Sequence, residues 1–245
     1  MTTREIARRV SALGVRITRY YSANGLYGSP RLAIHIVVRR TMRAARYLTE
    51  WQFDRKYGMQ TRGRHFTNAA HELHGERRPY QPVPLGRMVR IINSLKLQTK
   101  DYWFVDLGSG MGGALVAAAR MGFRGLVGVE FDGTLHQIAN GNIASLGLRD
   151  PELASRITLL HQDATKYEFP EDAPLLVFMF NPFGPDTMRT VIANLAESLQ
   201  ATPRRAFIVY YFPTQGTVVE EISGFSTVHR NERYAVYEYS PRRIE

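Results

Sequence analysis

Cysteine is missing from the 245-residue chain, which excludes disulfides, thiolate metal sites, iron–sulfur clusters and a cysteine nucleophile. No apolar run reaches the ~18 residues a membrane span needs, and the basic N-terminus lacks the apolar core of a signal peptide. Internal repeats and low-complexity tracts are absent too. With 44% hydrophobic and 22% charged residues, the composition excludes disorder, collagen and coiled coil as the main state. The expectation is a soluble cytoplasmic protein, one medium domain with an appendage. Acidic residues are scarce in only one part of the chain. Residues 1–100 hold 5 Asp/Glu against 20 Lys/Arg, a charge of +15, whereas residues 101–245 hold 17 against 12, a charge of −5, which together make the net +10. Two readings stay open: arginines that solubilise exposed helices, or a surface drawn to a polyanion such as nucleic acid, anionic lipid or an acidic protein.

Ser29-Pro30 predicts a helix start, with Ser as cap and Pro at the first helical position. The helix would run over 32–51, its apolar Ile34, Val37, Val38, Ala45 and Leu48 set among Arg39, Arg40, Arg43 and Arg46. A weaker helical pattern covers 3–20. Phe53 to Gly58 closes the long helix, 61–75 reads as loop, and Pro79, Pro82 and Pro84 force an extended stretch before a helix near 85–95. From Tyr102 the pattern changes. Apolar runs at 102–107, 125–130, 156–160, 174–180 and 205–211 alternate with helical stretches near 112–121, 133–146 and 186–200, which predicts βαβ units and a parallel sheet covered on both faces. A short helix near 216–223 then precedes strands around 226–230 and 233–239, whose tight connection at Asn231-Glu232 predicts an antiparallel hairpin at the sheet edge. The expected fold is α/β, a Rossmann-like, mostly parallel seven-stranded sheet with a C-terminal antiparallel hairpin. A basic, mainly helical extension over 1–78 precedes this 79–245 domain.

Phe104 to Gly113 reads as a strand, a glycine-rich turn and a helix. Glycines serve where backbone turns tightly and approaches a ligand, and the helix N-terminus adds N–H groups facing the site. Gly108, Gly110 and Gly113 fit a dinucleotide fingerprint; Gly108, Gly110 and Gly112, flanking Ser109, fit a tighter loop. Glu130 ends the next strand, where it is placed to accept both hydroxyls of a ribose. Asp163, in His161-Gln162-Asp163-Ala164, follows the third strand and suits the exocyclic amine of adenine. Each acid also has a plain reading as a cap or surface group. Asp106, Glu130 and Asp163 nevertheless fall at the carboxyl ends of successive strands, where open α/β sheets bind ligands. Asp106 separates the cofactors: its charge repels a pyrophosphate but favours the amino and sulfonium groups of S-adenosylmethionine, and no Lys or Arg lies in 108–113 to hold phosphates. After the apolar run Leu175 to Phe180 come Asn181-Pro182-Phe183-Gly184. Asn181 is placed to accept a hydrogen bond from a substrate amine, Pro182 stiffens the turn and Phe183 covers the reacting group. The plain alternative is an Asn-Pro turn with Phe183 at the core edge. Tyr210 and Tyr211 point to opposite faces, so one at most faces the site. Tyr80 and the proline segment are lid candidates.

These motifs, in order over 102–239, resemble class I, seven-stranded S-adenosylmethionine-dependent methyltransferases. The likeness is closer to an uncharacterised bacterial branch, through Phe53 to Gly58, Pro79 to Pro84, and Val129-Glu130-Phe131-Asp132 with Leu135-His136. It implies S-adenosyl-L-methionine as cofactor, with Asp106, Gly108, Ser109, Gly110 and Gly112 around it, Glu130 on the ribose, Phe131 on the adenine face, and Asp163-Ala164 near the adenine. Asn181, Pro182 and Phe183 would be catalytic. They are similar to the Asp/Asn-Pro-Pro-Tyr/Phe element of enzymes that methylate planar nitrogens, with Phe183 standing where that element has its second proline. The Asp-Leu-Gly-Ser-Gly and Gly-Val-Glu stretches are similar to those of seven-stranded protein-lysine methyltransferases, which implies a lysine side chain as acceptor; the expected acceptor is a nitrogen on a macromolecule, protein lysine or nucleic acid. No metal is implied. Two rivals remain: an NAD(P)-dependent oxidoreductase, and a binding module that keeps the core without turnover and uses the basic segment to hold nucleic acid or membrane.

Overall fold

Segments such as Leu175–Phe180 are apolar on both faces, which suits strands covered by helices on both sides, and four buried strands form the centre of the structure. The computed structural model describes residues 52–61, 80–222 and 224–240. The expected helices over 3–20 and 32–51, and the expected loop beyond Thr61, lie outside the described residues. Residues from Asp54 onward belong to one unit, Asp54–Glu245. Within it, α1 (Leu85–Ser94) precedes β1 (Trp103–Leu107), α2 (Gly113–Ala119), β2 (Gly125–Glu130), α3 (Gly133–Gly147), α4 (Pro151–Ser155) and β3 (Ile157–His161). There follow β4 (Leu175–Phe180), α5 (Pro185–Ala201), β5 (Ala206–Tyr211), α6 (Gly216–Glu221), β6 (Phe225–Arg230) and β7 (Tyr234–Tyr239).

The sheet order is β3-β2-β1-β4-β5-β7-β6. The first five strands pair in parallel, and β7 runs antiparallel between β5 and β6. The expected hairpin is therefore present, with its second strand inserted beside β5 and β6 at the edge. Helix α4 was not expected, although Asp150 caps it and Pro151 opens it, a legible start signal.

Period-two alternation assigns each β1 side chain to a layer. Val105 and Leu107 face a core completed by Met188 and Val191 of α5 and Val218 and Val219 of α6. Phe104 faces the opposite side, where it packs on Phe123 and Phe178. Asp106 shares that side. In register with it, Gly128 of β2 is bare because a Cβ there would stand 2.4 Å from Leu115 of α2 and 2.9 Å from Ser109 Oγ. Strand order reverses between β1 and β4, each starting a crossover to its own side, and this leaves a crevice over their carboxyl ends.

Candidate active site

The loop after β1 turns through left-handed backbone at Gly108 (φ 77°), Gly110 (φ 54°) and Gly112 (φ 80°). Two of these glycines also lack room for a side chain. A Cβ on Gly108 would lie 2.6 Å from Pro182 Cβ, and one on Gly110 would lie 2.4 Å from the Tyr80 ring. Glycine is thus required twice over, by conformation and by contact. Gly108→Ala is expected to cost roughly 1–3 kcal/mol of stability through overpacking and strain; an unchanged denaturation midpoint would show that Pro182 yields freely.

Glu130, at the tip of β2, holds this loop. One carboxylate oxygen accepts the Gly110 N–H at 2.7 Å and the other the Asp132 N–H at 2.8 Å. Burial pushes its carboxyl above the usual range, against the lowering effect of those two N–H donors. Asp106 is 3% exposed, and burial, then the charge of Glu130, pushes its carboxyl up to about 8. Among the described residues no hydrogen bond reaches the Asp106 carboxyl. Two buried acids therefore adjoin the same glycine loop without a cation between them. That arrangement is costly for the protein alone and favours a positively charged ligand.

Other expected site residues have structural partners. Ser109 is buried with its Oγ unpaired and packed toward Gly128 rather than the crevice. Phe131 is half-buried, and its carbonyl contacts His161 Nε2 at 3.0 Å. Asp163 accepts the Thr165 N–H at 2.9 Å and caps the short turn Ala164–Lys166, in which Ala164 is buried. Asn181 follows β4 in left-handed backbone (φ 44°), and its Oδ1 accepts the hydroxyls of Tyr210 (3.3 Å) and Thr214. Phe183 is partly buried against the core. The two tyrosines part as the alternation requires: Tyr210 joins the core under α5 and α6, and the Tyr211 hydroxyl accepts Arg87 Nη1 of α1 at 2.6 Å.

Sequence reasoning missed how residues 54–61 seat the loop. Asn142 of α3, buried, accepts the Gln60 N–H at 2.7 Å and donates to the carbonyls of Gln60 (3.1 Å) and Met111 (2.9 Å). Buried Asp54 accepts the Thr61 hydroxyl at 2.6 Å, and Tyr80 donates to the Thr61 carbonyl at 3.2 Å while its ring covers Gly110. One signal was present. Asn142 continues the buried stripe of Leu135, Ala139 and Leu146, where an amide needs internal partners.

Comparison with protein-family models and with curated proteins finds no match. Among solved structures, a putative S-adenosyl-L-methionine-dependent methyltransferase from Methanococcus maripaludis superposes with a TM-score of 0.50 at 17% identity, covering 65% of this chain and 87% of its own. The fold is the class I methyltransferase fold. An RNA methyltransferase from Salinibacter ruber, in complex with S-adenosyl-L-homocysteine, gives 0.46 at 22% identity over 67% of this chain and 97% of its own. A magnesium protoporphyrin IX methyltransferase from Synechocystis, with bound SAM, gives 0.47 at 15% identity over 63% and 76%. Within this class I methyltransferase fold, no group of three or more His, Asp and Glu among the described residues could hold a metal ion. None of the described helices is long and apolar enough to cross a membrane.

Proposed function

We propose that this protein is an S-adenosylmethionine-dependent methyltransferase acting on a nitrogen acceptor of a macromolecule. The observation that carries this reading is Asp106, a buried carboxyl without a hydrogen bond beside a second buried acid. A pyrophosphate would add negative charge there, whereas a sulfonium nucleoside brings the missing cation. The residues present fit such a cofactor: Asp106 for its positive groups, Glu130 for the ribose, Phe131 and Asp163-Ala164 for the adenine, and the 108–112 loop for close backbone approach.

S-Adenosylmethionine, when bound, supplies a methyl carbon activated by positive sulfur for in-line displacement by the acceptor. The chain's own contribution is alignment and exclusion of water, and alignment is worth about 7–11 kcal/mol in favourable cases. Asn181, Pro182 and Phe183 wall the acceptor side. Tyr210 and Thr214 fix the Asn181 amide, so Asn181 acts chiefly by its position. Tyr80 covers the loop from above.

Calorimetric titration should show binding of S-adenosylmethionine and none of NADH; a chain that binds only NADH, or neither, is not this enzyme. Asn181→Ala should keep cofactor affinity and lose about 100-fold in turnover, the penalty expected of a misplaced acceptor. Undiminished transfer of labelled methyl by that variant would remove Asn181 from the mechanism.

A further inference from the structure

The first turn of α1 carries a cation that the fold leaves without an acid. Arg87 is half-buried, and among the described residues no carboxylate lies within ion-pair distance of it. Its guanidinium bonds the Tyr211 hydroxyl instead, at 2.6 Å. That first turn has no acidic residue and no side-chain cap, so the charge adds to the positive end of the helix dipole. Tyr211 is 1% exposed. Its oxygen accepts from Arg87, and no acceptor among the described residues takes its own proton. A half-buried charge without a counter-charge, beside a buried hydroxyl whose proton is unused, is costly in the protein alone.

The pair stands at the carboxyl edge of the sheet. Asp106, Phe178 and Val209 are in register across β1, β4 and β5, and Phe180 and Tyr211 follow one side-chain repeat later, on the face that Asp106 shares. Tyr211 is thereby two strands and two residues from Asp106, roughly 12 Å between Cα atoms. The Phe180 ring meets Tyr211 edge-on at 5.2 Å and stacks on Phe212 at 5.6 Å. Phe180 also immediately precedes Asn181, on the acceptor side. The amino and carboxyl groups of the cofactor share one carbon, and Asp106 is the acid for that end. A cation this far along the sheet is placed for the other reactant.

We infer that Arg87 and Tyr211 hold a carboxylate of the acceptor, a peptide whose reacting nitrogen lies near an acidic side chain or a chain end. The inference rests on the methyltransferase reading above and names the acceptor class for that site: of the macromolecules it allows, nucleic acids carry no carboxylate. A guanidinium offers a planar fork to two oxygens, and the Tyr211 proton supplies a further donor. One positive charge matches one carboxylate. A phosphate monoester brings about −1.5 to −2, and Asp106 and Glu130 on the same edge of the sheet penalise any surplus negative charge.

The test uses the full chain, saturated with S-adenosylhomocysteine, and para-fluorobenzoate as the carboxylate probe, titrated by fluorine NMR. Its uncharged isostere, para-fluorobenzamide, should bind at least tenfold more weakly, the scale of a hydrogen bond between charged groups. Arg87→Ala and Tyr211→Phe should each weaken para-fluorobenzoate binding about tenfold, and Arg87→Lys should recover part of the loss. Arg90→Ala removes the same charge from an exposed position of α1 and should change nothing. If Arg87→Ala fails to fold, Tyr211→Phe decides, because it keeps the ring. Labelled methyl should be recovered in protein. The assignment is overturned if wild type does not bind para-fluorobenzoate, if the amide or inorganic phosphate binds as tightly, if neither substitution weakens binding, or if the label enters only nucleic acid. A tenfold loss of S-adenosylmethionine affinity in Arg87→Ala would also overturn it, by giving Arg87 to the cofactor. Failure of S-adenosylmethionine to bind wild type refutes the cofactor reading, whereas cofactor binding without para-fluorobenzoate binding refutes the acceptor class alone.

Discussion

Asp106→Asn is expected to make the protein more stable at pH 7 and to weaken S-adenosylmethionine binding at least tenfold. In the folded chain, burial and the neighbouring Glu130 raise the Asp106 carboxyl from 3.8 to about 8. The folded state therefore keeps its proton over a range where the unfolded state has released it. Stability from this group is complete below about pH 4 and falls as pH rises towards 8, by up to about 4 kcal/mol at pH 7. The raised Glu130 acts in the same direction. Asparagine cannot ionise, so the variant should gain roughly 1–3 kcal/mol at pH 7 once the cost of its own unpaired amide is allowed for. Its stability should also decline less between pH 5 and 8. A charged hydrogen bond lost from the site costs about 1.5–3 kcal/mol of affinity, which sets the tenfold floor. Urea denaturation across pH, paired with calorimetry, measures both effects. Identical pH profiles for the two proteins would mean that Asp106 is ionised in the folded state. Wild type should also release a proton on binding the cofactor near pH 7, visible as a dependence of binding heat on buffer, and Asp106→Asn should not.

Asn142→Leu should lower stability by about 3 kcal/mol, because it leaves the Gln60 N–H, the Gln60 carbonyl and the Met111 carbonyl without their partner. For a unit of this size that corresponds to roughly 6–12 °C in Tm. The loss should be concentrated where the bonds are. Hydrogen exchange at Gln60 should accelerate, and cofactor affinity should fall with it, since Met111 belongs to the glycine loop. Asn142→Asp keeps an acceptor for the Gln60 N–H but no donor, and should fall between. A Leu variant with wild-type Tm and unchanged Gln60 exchange would show that residues 59–61 are held by packing alone.

Both experiments probe residues of different legibility. Asp106 was readable because its meaning is local: an acid closing an apolar strand two residues before a glycine can be placed at a sheet edge from the alternation alone. The same holds for Glu130 and for the expected helix starting at Gly133, whose cap at Asp132 accepts the N–H groups of Thr134 and Leu135. Asn142 was not readable, since its partners lie 31 and 82 positions away. Asn181 was placed correctly at a strand tip, yet its hydroxyl partners come from the end of β5 and the loop beyond it. Phe183 and Phe212 illustrate the same limit: both are aromatic and both follow a strand, but one is packed against the core and the other is exposed.

Taken alone, the amino-acid order determined the period of each apolar run, hence which segments are strands and which helices, and which acids end the strands. These follow from interactions within a few positions, which side-chain alternation and capping report directly. Only the tertiary structure decided the insertion of β7 beside β5, the seating of residues 59–61 on α3, and the pairing of Asn181 with Tyr210 and Thr214. Those depend on which distant groups meet once the sheet has formed, and short-range spacing carries no record of such meetings.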